Sequence, residues 1–70
     1  MQKVAELIRT MRKRAGMSQS QLDDAADLPI LTVGRAEREK GHLKTEYFFR
    51  IAEATGHDVI IRRKDENDER

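Results

Sequence analysis

Two helix-start signals, Ser18 and Pro29, stand eleven positions apart near the middle of the chain and leave little freedom between them. Ser18 followed by Gln21 is a capping-box pattern, in which the hydroxyl can accept from a first-turn backbone N–H while the glutamine reaches back. Proline suits the first helical position, where its missing N–H costs nothing, and breaks a helix interior. The intervening stretch therefore holds one short helix to about Ala26, burying Leu22 and Ala26, and a tight turn at Asp27 and Leu28. The next helix is expected over about residues 29–38. Its periodicity turns Val33 and Ala36 inward and leaves Ile30, Leu31, Thr32, Gly34, Arg35 and Arg38 on other faces.

Further helices flank this pair. Val4, Leu7, Ile8 and Met11 recur at three- and four-residue spacing, predicting an amphipathic helix over roughly residues 2–14. Arg12, Lys13 and Arg14 suit its C-terminal dipole, and Gly16 can take the left-handed conformation that stops it. Glu39, Lys40, Gly41 and His42 read as a loop. Thr45 is a plausible N-cap for a helix through Thr55 with Phe48, Ile51 and Ala52 as its buried stripe, ended by Gly56. The β-branched run Val59, Ile60 and Ile61, between Asp58 and Arg62, reads as a short strand. Residues 65–70 are almost wholly charged and are expected to be disordered. The expected fold is all-α, a bundle of four to five short helices with one short C-terminal β-strand. It divides into a helical domain at 1–56, the strand segment at 57–64 and the tail at 65–70.

Composition excludes more than it assigns. Seventy residues make one domain, and a chain this small buries only about 60% of its unfolded surface, so self-association helps it. The absence of cysteine excludes a disulfide framework and thiolate metal sites, and fits a reducing cytoplasm. No apolar run approaches the ~20 residues of a membrane span. Glu6, Arg9 and Arg12 interrupt anything like a signal-peptide core. Neither His42 nor His57 has a ligand-spaced partner, and no phosphate-cradling glycine loop occurs. Ser18 is explained by capping. No enzyme activity, cofactor or metal is expected, and a cytoplasmic location is.

The charge is uneven. Lys3, Arg9, Arg12, Lys13 and Arg14 face only Glu6 in residues 1–21, while residues 22–34 carry just Asp23, Asp24 and Asp27. Residues 35–50 are basic again, with Arg35, Arg38, Lys40, Lys44 and Arg50 against three glutamates. Folding can merge the basic segments into one face of the kind that binds nucleic acid, or leave a solvated mixed-charge surface.

The pattern of residues goes further than the spacing. Gly16 to Leu22, then Ala26, then Thr32 to Lys40 resembles the phage repressor and Cro-type (XRE) family of helix-turn-helix proteins, and the likeness continues through Glu46, Phe48 to Ala52 and Ala54 to Gly56. The resemblance implies a lambda-repressor-like bundle that binds double-stranded DNA, with the helix after Pro29 in the major groove. It implies that Ser18 and Gln19 approach a phosphate, that Arg35 contacts guanine, and that Thr32 reaches a phosphate or a base. Arg38, Lys40 and Lys44 would face the backbone. It also implies a structural ion pair between Arg12 and Glu37.

Several positions depart from the family pattern. Asp23 stands where a small residue is usual, Asp27 and Glu39 stand where glycine is, and Leu43 replaces a common proline. Ile30 and Leu31 replace polar base-reading residues. They can meet thymine methyls, form an apolar patch for a protein partner, or pack inward.

A lone strand has two unpaired edges, so Val59, Ile60 and Ile61 are expected to pair with the same segment of a second copy across a two-fold axis. The alternative is a tail folded over its own core. HipB-like antitoxins within the family similarly append a strand, which makes a cognate toxin a possible partner. The expected function is a homodimeric transcriptional regulator, a repressor on a pseudo-palindromic operator, in one variant an antitoxin. A rival is a protein-interaction adaptor on the same fold, supported by Ile30, Leu31 and the acidic residues 23–27.

Overall fold

The computed structural model describes residues 3–40 and 42–63, among which are four helices: α1 (Val4–Arg14), α2 (Gln19–Ala25), α3 (Thr32–Glu37) and α4 (Thr45–Ala54). Helices α1 and α2 each pack against both α3 and α4. The core they enclose consists of Ile8, Met11, Leu22, Ala26, Leu28, Val33, Ile51 and Ala52. In α1 the buried stripe is Ala5, Ile8 and Met11, whereas Val4 is exposed at the first turn. No helix among the described residues is long and apolar enough to cross a membrane.

The Ser18 capping box is complete. The Gln21 N–H donates to Ser18 Oγ at 3.0 Å, and the Ser18 N–H donates to Gln21 Oε1 at 2.8 Å. Two other helix starts differ from expectation. Thr45 is the first residue of α4 rather than its cap, because the Lys44 carbonyl already accepts from the N–H groups of Tyr47 and Phe48. Helix α3 begins at Thr32, not at Pro29. Pro29 instead closes a turn, its carbonyl accepting from the Thr32 N–H and hydroxyl.

All four helices end in the same way. In each, the second residue past the C-cap donates its N–H back over the last turn: Met17 to Arg12 O, Leu28 to Asp23 O, Lys40 to Arg35 O and His57 to Ala52 O. This Schellman arrangement needs a left-handed residue between, and Asp27 (φ 56°) and Glu39 (φ 60°) supply it where glycine would be unstrained. Glu39→Gly is therefore expected to raise stability by about 0.5–1 kcal/mol, read as a higher urea midpoint. The Lys3–Glu39 ion pair it removes is exposed, 3.8 Å long and worth little.

Beyond α4, residues 57–63 run as irregular chain with Ile60 and Ile61 exposed. The strand expected over 58–62 is not formed in the single chain, because a ladder needs a second edge and no other strand exists among the described residues. Lys64 and the tail at 65–70 lie outside the described residues, as do Gly41 of the expected loop and Gln2 at the start of the expected first helix.

Candidate nucleic-acid interface

Helix α2, the turn over residues 26–31 and α3 form one unit, and Asp23 joins its two helices. Asp23 is buried on α2, where its Oδ2 accepts from the Leu31 N–H and its Oδ1 from the Val33 N–H, both at 2.9 Å. A side chain from the preceding helix thus caps α3 and satisfies donors that open a helix without partners. Leu31 is held with φ 69°, and its side chain and that of Ile30 stand outward, 64% and 85% exposed. Packing inward, one of the three fates open to this pair, is therefore excluded. Asp23 was missed as a structural residue because its partners lie eight and ten positions away; its only signal was a carboxylate where two helices pack.

Gly34 is buried, not outward-facing, at the crossing of α3 on α2. A Cβ there would sit 3.1 Å from Gln19 Oε1 and 3.4 Å from an Arg38 guanidinium nitrogen, so glycine permits the close approach.

A second polar cluster ties α1 to the other end of α3. The Glu37 carboxylate is 4% exposed and accepts from Arg12 Nε at 2.6 Å, Arg12 Nη2 at 3.1 Å and Gln19 Nε2 at 3.1 Å. Arg9 adds its Nε to the same carboxylate at 3.4 Å, and its Nη2 donates to the Glu37 carbonyl at 3.2 Å. Burial pushes the Glu37 carboxyl up, but the hydrogen bonds from Arg12, Gln19 and Arg9 outweigh it and hold the group below its ordinary value. The hydrogen bond to Glu37 raises Arg12. Arg9 carried no signal beyond lying one turn from Arg12.

The remaining site residues line two grooves flanking α3. On the α2 side lie Gln19, Ile30, Leu31, Gly34 and Arg38. On the other lie Thr32, Arg35, Lys40 and Tyr47, with Lys44 Nζ 5.3 Å from the Tyr47 ring centroid. Arg35, Arg38, Lys40 and Lys44 are exposed. Ser18 stands apart from both grooves, with its hydroxyl committed to the cap. Tyr47, absent from the expected site, joins α4 to it, and Arg50 also approaches its ring, at 5.6 Å.

A helix-turn-helix family model matches residues 8–58, which covers α2, the turn, α3 and α4 entirely. The chain belongs to the helix-turn-helix family. It is of the XRE type, and at the level of that family it is a DNA-binding transcription regulator. No curated protein and no solved structure matches it. In helix-turn-helix terms α3 is the second helix of the motif, and Asp23 and Glu37 fix its two ends to α2 and α1.

Proposed function

We propose that this helix-turn-helix protein is a sequence-specific repressor that binds a pseudo-palindromic operator as a homodimer in the cytoplasm. The observation that carries the reading is the exposed set of cations Arg35, Arg38 and Lys40 along both flanks of a recognition helix fastened at each end, with exposed Lys44 beside Tyr47. The Arg35 guanidinium makes no hydrogen bond or ion pair with the described residues, which leaves it available for a bidentate contact to guanine. Gln19 keeps one amide hydrogen beyond its bond to Glu37, enough for a phosphate oxygen. Thr32, Ile30 and Leu31 complete the base-facing set, and Ser18 contributes by capping the helix that carries Gln19.

Arg35→Ala is expected to weaken duplex binding about tenfold at moderate salt, and Gln19→Ala to weaken it less, as measured by fluorescence anisotropy. Unchanged affinity in the double variant would remove the recognition-helix assignment.

The homodimer rests on the segment after α4. Val59 is partly exposed, Ile60 and Ile61 largely so, and their backbone has no partner strand in the single chain. Pairing with a second copy would cover both and set two recognition helices about one DNA turn apart. Ile60→Asp is expected to give a monomer by sedimentation at a concentration where the wild type is dimeric; a monomeric wild type at micromolar concentration would defeat the pairing. An antitoxin role would use the same regulator with a cognate toxin as a further partner. Ile30 and Leu31, standing outward, also support the adaptor reading, in which they take a protein partner in place of DNA.

A further inference from the structure

We propose that Ile30 and Leu31, held outward by Asp23, read the C5 methyl groups of thymines in the operator; the inference rests on the DNA-binding reading above and specifies its ligand chemistry. Among the described residues, three other than glycine have positive φ: Asp27, Leu31 and Glu39. Asp27 and Glu39 sit at helix ends, where closing the final turn requires that conformation. Leu31 closes no helix. It precedes α3, carries a bulky side chain, and is kept left-handed by the Asp23 carboxylate on its N–H and that of Val33. Strain of this kind persists only where the surroundings impose it, and here it presents an apolar pair at the head of the recognition helix.

Apolar side chains offer no donor or acceptor, so they distinguish bases only by the one apolar group in the major groove, the thymine methyl. The neighbours support base edges over backbone. Asp23 is turned inward with both oxygens occupied, and neither Ile30 nor Leu31 has a side-chain donor to offer a phosphate. Arg38 shares the groove of the pair, and Arg35 lies on the other flank of α3.

The test uses a duplex enriched from a random pool by the full chain, with each thymine replaced in turn by deoxyuridine, which removes the methyl and leaves the hydrogen-bonding edge. At one or two positions per half-site the affinity is expected to fall about fourfold per methyl. That fall should vanish in the Ile30→Ala/Leu31→Ala variant and persist in Arg35→Ala. Asp23→Asn should also lose the thymine-to-deoxyuridine ratio, a readout that partial unfolding alone does not move because both affinities refer to the same folded fraction. If Asp23→Asn does not fold, the double variant still decides. A fully substituted duplex bound as tightly as the original, or a loss undiminished in the double variant, overturns the methyl reading while leaving DNA binding intact, and assigns the pair to a protein partner. Failure to enrich any duplex overturns both.

Discussion

Arg12→Ala is expected to lower the unfolding free energy by about 3 kcal/mol, a loss seen as a lower urea midpoint with an unchanged slope. The variant removes two hydrogen bonds from a carboxylate that is 4% exposed and leaves that charge without its main partner. It also frees the Met17 carbonyl, which accepts from Arg12 Nη1 at 3.0 Å just past the end of α1. Arg9 and Gln19 remain as partners of Glu37, which keeps the loss at the lower end of what a broken buried pair costs. A domain of this length has about 4–10 kcal/mol in total, so the effect is a large fraction of the whole. Removing both charges is different in kind. Arg12→Met with Glu37→Met takes away the desolvated carboxylate along with its partner, and should recover more than half of the loss. Arg12→Ala within 1 kcal/mol of the wild type would show that the pair holds little.

The same carboxylate sets an acid limit. Glu37 is held below its ordinary value in the folded chain, so it contributes stability above its unfolded value, and that contribution is lost as the pH falls through the folded one. The thermal midpoint should be flat near neutrality and decline below the usual glutamate range, and Glu37→Gln should flatten the decline while lowering the plateau.

What was legible in the sequence follows how local each determinant is. The Ser18–Gln21 box needs only four residues, and α2 starts where they place it. Pro29 carries an equally local signal, yet α3 starts three residues later because its cap comes from Asp23 on another helix. Periodicity located α1 but misplaced its first buried residue, since a helix beginning at Val4 presents Ala5, Ile8 and Met11 inward. The run at Val59–Ile61 illustrates the converse. β-branched residues record a surface suited to pairing, but not which chain supplies the pair. Within the site, Arg35 and Gln19 could be named from family-like positions, whereas Arg9, Asp23 and Tyr47 act through contacts between elements, which spacing alone does not encode.

Asp23 is the sharper case, because the position looks like a defect in the sequence and is a fastening in the structure. Asp23→Ala would leave the Leu31 and Val33 N–H groups without their acceptor, one of them in a buried bond. Each unsatisfied buried donor costs at least about 1 kcal/mol, so the expected loss is about 2–3 kcal/mol. Water can reach the Leu31 amide, whose side chain is 64% exposed, but Val33 is fully buried and has no such relief. The loss should also be local in character. Without the carboxylate, Leu31 has no reason to stay left-handed, and the head of α3 should fray before the rest of the bundle. Amide exchange would show this as lost protection at Leu31 and Val33, with Leu22 and Ala26, whose amides donate to the Ser18 and Leu22 carbonyls, keeping theirs. Asp23→Ser, which retains one acceptor, should fall between. Equal protection of Val33 in the wild type and Asp23→Ala would mean that α3 is capped by something other than Asp23.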